Sequence, residues 1–288
     1  MTTQQTSTPA TAQGPFEPEV TGAFATWMAD GWTVTWRNLN KVKRSPDMLI
    51  FAVLQPIMFV LLFSQVFGGA IGGDNPNFDY TDFLMAGIFA QTVVFGSTFS
   101  GAAMAQDLKE GIIDRFRTLP MSPSAVLVGR TNADLALNTI SMVIMILTGL
   151  AIGWRFENGV LSFLGGVALL MLFSYSFSWV MALLGMMVKT PETINNASFM
   201  ILFPLTFISN AFVPAESLPK VFGIIANWNP VSALVQGARE LFGNTGGTVA
   251  ADTWPMQNPV ITAIIGSVLM LLIFVPLCVK KFGNVSSR

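Results

Sequence analysis

The residue types that most often carry chemistry are scarce in this chain. It contains no histidine and a single cysteine, Cys278. Without His there is no metalloprotease helix, no Ser/His dyad and no imidazole proton relay. One thiol supports neither a disulfide within the chain nor a cysteine-based zinc site. No Gly-x-x-x-x-Gly-Lys-Ser/Thr loop occurs, so the chain carries no Walker nucleotide site, and no Gly-x-Ser-x-Gly elbow occurs either. Ser174, Ser176 and Ser178 sit in an apolar stretch and read as groups that hydrogen-bond within or between helices. A membrane enzyme is therefore the least favoured class.

The elements around this missing chemistry belong in lipid. Of 288 residues, 52% are hydrophobic and 11% charged, with Phe at 24 and Met at 16; mean hydropathy is +0.59. A water-exposed surface requires about a quarter of residues to be charged. A net charge of −1 argues against nucleic-acid partners, whose phosphates need clustered Lys and Arg.

A membrane helix takes about 20 apolar residues to cross about 30 Å of hydrocarbon. Six segments qualify: 48–67, 83–105, 133–153 with Asp134 at its edge, 161–188, 197–213 with Pro204, and 259–279. Inner loops collect Lys and Arg. With both termini inside, all of the 15 Lys and Arg except Arg155, Lys220 and Arg239 fall on the inner side. An odd number of spans would strand a basic cluster outside.

Three stretches outside the spans are organised. Phe24, Met28, Trp32, Thr35, Trp36, Leu39 and Val42 recur at three- and four-residue steps. They predict an amphipathic helix lying in the cytoplasmic interface, with Trp32 and Trp36 at headgroup depth and basic residues such as Arg37 toward lipid phosphate. Between spans two and three, Leu108, Ile112, Phe116 and Leu119 make one stripe of a helix over 106–119, stopped by Pro120 and Pro123. Such a helix rests on the bilayer or serves as a knob for a soluble partner, and the residues leave both open. In the outer segment, pieces at 218–226 and 231–242 are split by Asn227, Trp228, Asn229 and Pro230. The second piece gathers Ser232, Gln236, Arg239 and Glu240 on a polar face. Too short to span, the pair reads as a cap over the outer end of a pathway.

Active transport needs an energy source. Ion-coupled carriers keep ionisable residues inside their spans, and here only Asp134 approaches one. With no nucleotide site either, an active transporter of this type takes its energy from a separate ATPase.

The stretch KEGIIDRFRTLPMSPSAVLVGR at 109–130 closely resembles the coupling-helix region of ABC-2 type permeases, most of all the daunorubicin-resistance branch of drug exporters. ISNAFVPAESLP at 208–219, NPVSALV at 229–235 and AREL at 238–241 agree with it. The resemblance covers about residues 37–282. It implies an all-α integral membrane protein of the type-2 ABC exporter permease fold, with six transmembrane helices and an N-terminal amphipathic interfacial helix. The expected parts are a disordered tail at 1–20, a connecting helix at 21–45 carrying Trp32, Trp36 and Arg37, a permease domain at 46–283 and a C-terminal tail at 284–288. Within the domain lie a coupling helix at 106–119 and an outer helix pair at 216–242.

Partners and roles follow from the same resemblance. Two copies of a separate ABC ATPase would hold ATP and Mg, this chain would bind no cofactor or metal, and a second permease copy would complete the transmembrane unit. Glu110 and Gly111 match the family's Glu-Gly pair. Ile112 lies in the same docking segment, Arg115 and Arg117 would pair with acidic groups on the ATPase, and Phe116 would anchor the contact. Asn229, Pro230, Arg239 and Glu240 would form the outer gate, and spans one, two and five would face the other copy. The location implied is the bacterial plasma membrane, multi-pass, both termini cytoplasmic. The expected cargo is a hydrophobic or amphipathic drug, metabolite or lipid. A polysaccharide or lipid-linked polymer exporter and an uncoupled channel are the rival readings.

Overall fold

In lipid a backbone must satisfy its own N–H and C=O groups, so apolar runs of this length fold as helices. The computed structural model describes residues 23–44, 46–72, 79–113, 123–214, 218–245 and 251–284. Its elements are all helical: α1 (Ala23–Arg44), α2 (Pro46–Gly72), α3 (Tyr80–Gly96), α4 (Thr98–Lys109), α5 (Pro123–Ala151), α6 (Gly159–Gly185), α7 (Pro191–Phe207), α8 (Lys220–Trp228), α9 (Pro230–Phe242), α10 (Trp254–Gln257) and α11 (Pro259–Asn284).

Among the described residues, four helices are long and apolar enough to cross a membrane: Tyr80–Lys109, Ser124–Ala151, Gly159–Gly185 and Pro259–Asn284. The segments expected at 48–67 and 197–213 correspond to α2 and α7. The apolar helix found within α2 is Leu54–Val66, and α7 has 17 residues.

Local chemistry sets the boundaries. The Asp79 carboxylate caps α3, accepting from Thr81 N at 2.7 Å and Asp82 N at 3.4 Å, which satisfies donors the first turn leaves open. α3 and α4 form one column interrupted only at Ser97. There the hydroxyl donates back to Val93 O at 2.7 Å and across to Ser174 O at 3.1 Å. A serine bonding to the carbonyl one turn behind bends a helix. Thr190 caps α7, with Pro191 in its first turn, where a missing N–H costs nothing.

α3 is the centre of the bundle, packed by α2, α5, α6 and α9; every residue from 83 to 94 is buried. α11 lies against α6 and α9, and α1 against α5. Helices in lipid associate by close packing of small residues. α4 and α6 meet at Gly101 and Gly185, where a Cβ on Gly185 would fall 2.2 Å from Gly101 O. Buried polar side chains join α5 to α6 as well, Asn138 Nδ2 donating to Ser174 Oγ at 2.8 Å.

α3 itself corrects the expectation that spans one, two and five face a second copy. Its residues 83–94 are closed off inside its own bundle. Of that set, α2 and α7 do leave exposed apolar side chains, such as Leu54 and Met58, and Phe199 and Met200.

Candidate coupling site and gate

The last turn of α4 sends Asp107 and Leu108 inward and Lys109 and Glu110 outward. Glu110 ends the helix, its carboxylate accepting from Gln106 Nε2. Gly111 then takes φ +67° with open space around it, a conformation that disfavours any residue with a Cβ. Beyond it Ile112 and Ile113 resume helical geometry. Ile113 is 2% exposed in a cluster with Leu108, Val126, Trp179 and Met186. A continuous rod over 106–119 is therefore corrected: 106–109 belong to α4, and the left-handed glycine breaks the chain before the next helical turn. Arg115, Phe116 and Arg117 lie outside the described residues.

Asp107 anchors a buried ionic cluster that joins three helices. Its Oδ2 stands 3.2 Å from Arg130 Nη1 on α5 and 3.8 Å from Arg37 Nη2 on α1. Arg130 Nη1 also donates to Asn38 Oδ1 at 3.4 Å, as does Arg37 Nη2 at 3.2 Å. Arg130 Nε faces Asp134 Oδ2 at 4.0 Å, one turn along α5. Two arginines and two aspartates balance, as burial demands. Burial lowers the Arg37 pKa, and the Asp107 charge opposes that shift.

Two expectations change here. Asp134, read as the edge of a span, is 3% exposed well inside α5, which begins ten residues before the expected 133. Arg37, expected to face lipid phosphate, turns to Asp107 instead.

α1 is seated by small and polar residues. Gly31, Val34, Thr35 and Asn38 form its buried face. Thr35 Oγ1 donates to Gly31 O at 2.8 Å and to Gly129 O at 3.0 Å, and Trp27 Nε1 donates to Ser124 Oγ at 3.0 Å. A Cβ on Gly129 would lie 2.5 Å from Gly31 O. Met28, Trp32 and Trp36 point away, 55%, 66% and 58% exposed. Thr35 thus leaves the apolar stripe predicted for it, while the two tryptophans keep an outward face.

At the other end of the bundle, α8 and α9 are joined by Asn229 alone. Its Oδ1 accepts from Val231 N at 2.9 Å and its Nδ2 donates to Leu205 O at 2.7 Å. Pro230 opens α9 and is exposed.

The polar face of α9 turns inward, with Ser232, Gln236 and Arg239 buried. Ser232 Oγ accepts from Asn210 N at 3.2 Å, and Gln236 Oε1 accepts from Asn210 Nδ2 at 3.4 Å. Arg239 is wholly buried. Its Nε donates to Phe83 O at 3.0 Å, and its Nη2 donates to Asn210 O at 2.8 Å and Ala211 O at 3.1 Å. The guanidinium carbon lies 3.4 Å from the Phe83 ring centroid, a cation–π contact that strengthens out of water. Glu240 is half-buried, and its carbonyl accepts from Asn158 Nδ2 at 2.6 Å.

The opposite face of α9 is locked by aromatics. Phe242 packs edge-on to Phe89 at 5.9 Å and to Trp154 at 5.6 Å. Trp154 Nε1 donates to Asn244 Oδ1 at 3.0 Å. Within this pair α8 presents an apolar exposed face, with Val221, Phe222, Ile224, Ile225 and Trp228 exposed.

The predicted residues thus separate into two assemblies. Glu110, Gly111 and Ile112 follow Asp107, the partner of Arg37, at one end; Asn229, Pro230, Arg239 and Glu240 gather at the other. Reading the sequence missed Asn38, Asp107 and Arg130 at the first and Phe83 and Asn210 at the second. The i, i+4 pair Arg130–Asp134 was the available signal for the first.

A family model described as ABC-2 type transporter matches residues 30–242, which take in both assemblies. This chain belongs to that family. The daunorubicin resistance ABC transporter permease protein DrrB1 of Streptomyces coeruleorubidus is 32% identical to it over 262 residues, 91% of this chain and 89% of that one. The doxorubicin resistance ABC transporter permease protein DrrB of Mycobacterium tuberculosis H37Rv is 26% identical over 230 residues, 77% and 76% of the two chains. The inner membrane transport permease YadH of Escherichia coli K12 is 22% identical over 211 residues, 69% and 78%. As a family member the chain is the multi-pass membrane permease of an ABC transporter, which implies an ATPase partner.

Proposed function

We propose that this chain forms half of a homodimeric export permease in the bacterial plasma membrane, with two ATPase subunits docked at the Lys109 end. They would hold ATP and Mg, and this chain would bind neither. The cargo is a hydrophobic or amphipathic drug, metabolite or lipid, a reading supported by relatives named for daunorubicin and doxorubicin resistance. Six spans with both termini cytoplasmic account for the family pattern, counting α2 and α7 as spans one and five. α1 then lies along the inner leaflet with Trp32 and Trp36 toward lipid.

One observation carries this reading. The exposed Lys109–Gly111 corner is contiguous with a buried ionic cluster spanning α1, α4 and α5. A push on Glu110 or Ile112 therefore enters three helices together, and Arg115, Phe116 and Arg117 would extend the docking surface.

The test is co-purification of tagged chain with an ABC ATPase from native membranes, then ATP-driven doxorubicin movement in proteoliposomes. Capture of the ATPase with uptake only in the presence of ATP is expected. Doxorubicin flux through the chain alone, without ATPase, would make it a channel.

A further inference from the structure

Arg239 is a wholly buried cation whose contacts are carbonyl oxygens and a ring face: Phe83 O, Asn210 O, Ala211 O and the Phe83 ring. A planar guanidinium suits this arrangement, because it forks to several acceptors while its flat face stacks on the aromatic. The acceptors belong to different parts of the fold. Phe83 is in the first turn of α3, whereas Asn210 and Ala211 lie in the turn that follows α7. Arg239 therefore binds α9 to α3 and to that turn at once.

A stripe along α3 makes the same junction independently. Tyr80, Phe83 and Gly87 share a face at three- and four-residue spacing. Tyr80 donates its hydroxyl to Phe212 O at 3.0 Å. A Cβ on Gly87 would fall 2.1 Å from Ala211 O, so the two backbones touch and α3 has no room to slide past the turn. At its far end the α3–α4 column carries Asp107 and the Lys109–Gly111 corner.

We propose that Arg239 is a positioning residue that makes the α3–α4 column and α9 one mechanical unit, delivering displacement at the ATPase end to the outer gate. This rests on the export reading given above and adds the route by which the stroke crosses the membrane. The hydrogen bonds of Ser232 and Gln236 to Asn210 hold α9 to the turn after α7, so they report on that attachment.

The experiment uses the permease–ATPase complex in proteoliposomes, with Cys278→Ser and Lys220→Cys installed as a reporter on exposed α8. Two readouts are taken: the ATP-induced change in maleimide labelling at position 220, and doxorubicin moved per ATP hydrolysed. Arg239→Gln should abolish the labelling change and lower doxorubicin per ATP about tenfold, the scale of an ordinary coupling energy. Arg239→Lys, which keeps the charge but loses the fork, should fall between. The double variant Ser232→Ala, Gln236→Ala should keep the ATP response.

A full ATP response in Arg239→Gln overturns the proposal, as does equal loss in the Ser232, Gln236 double variant. Should Arg239→Gln fail to assemble, the near-isosteric Tyr80→Phe decides. It should reduce both readouts, and wild-type behaviour overturns the proposal. A wild-type complex that hydrolyses ATP without moving doxorubicin or changing its labelling counts against the export reading instead.

Discussion

Asp107 Oδ2 and Arg130 Nη1 meet at 3.2 Å with side chains only 8% and 11% exposed, so a buried ion pair joins α4 to α5. Water cannot take over if one partner is lost. Asp107→Asn should therefore destabilise the chain by about 3 kcal/mol, because it strands a buried guanidinium charge. Arg130→Gln should cost a similar amount, and the double variant less than the sum of the two. Thermal unfolding in detergent reads all three, and strict additivity would show that the pair does not act as a unit.

The α4–α6 contact has no slack at Gly185, where an added Cβ would meet Gly101 O at 2.2 Å. Both atoms involved are fixed by backbone, so Gly185→Ala should cost about 1–3 kcal/mol as overpacking. Gly266→Ala on α11 has open space and should instead be neutral or stabilising by about 0.5–1 kcal/mol, the helix-interior penalty of glycine. Equal midpoints for the two variants would contradict the packing described.

Gly111 separates fold from docking. Nothing lies within 4 Å of the site a Cβ would occupy, yet φ is +67°. Gly111→Ala should lose about 1 kcal/mol through the left-handed backbone alone, whereas Gly111→Asn should lose less. ATPase capture should weaken in the same order, Gly, Asn, Ala, which a pull-down series measures. Undiminished capture by the alanine variant would remove the corner from the docking surface.

Glu240 gives a pH dependence with a definite sign. Burial raises its carboxyl pKa, and the Gln236 side chain opposes the shift. A carboxyl raised by folding binds its proton more tightly in the native state. Its contribution is thus fullest at low pH and is lost as pH rises through the folded value. The melting midpoint of the wild type relative to Glu240→Gln should fall as pH rises above the ordinary carboxylate range. A difference that grows with pH would have the wrong sign.

Topology is open to labelling in intact cells. With Cys278→Ser as background, Lys109→Cys should resist an impermeant maleimide, and Asp252→Cys, on the exposed stretch before α10, should react with it. The reverse pattern would invert the orientation proposed for the chain.

Long apolar runs made most of the helices legible: α6 and α11 lie within a few residues of their expected ends. α5 began earlier because hydropathy treats Arg130 and Asp134 as a boundary, although charges that neutralise each other in pairs can sit inside a helix bundle. The surroundings of Arg239 were hidden for a related reason. An amphipathic pattern fixes which residues share a face, but not whether water, lipid or a ring of carbonyls receives it. The break at Ser97 had neither proline nor a preceding cap to announce it, and its cause is a hydroxyl whose second acceptor, Ser174 O, comes from 77 residues away. Gly111 was marked from sequence as a docking position; its left-handed turn emerged only with the backbone.

The bare crossing of Gly31 over Gly129 acts as a ruler. Where two main chains touch, no change of side-chain size can tune their spacing, and the reach from Arg37 to Asp107 is fixed along with it. Even a methyl added at this crossing would push α1 off α5 bodily, and Arg37 with it.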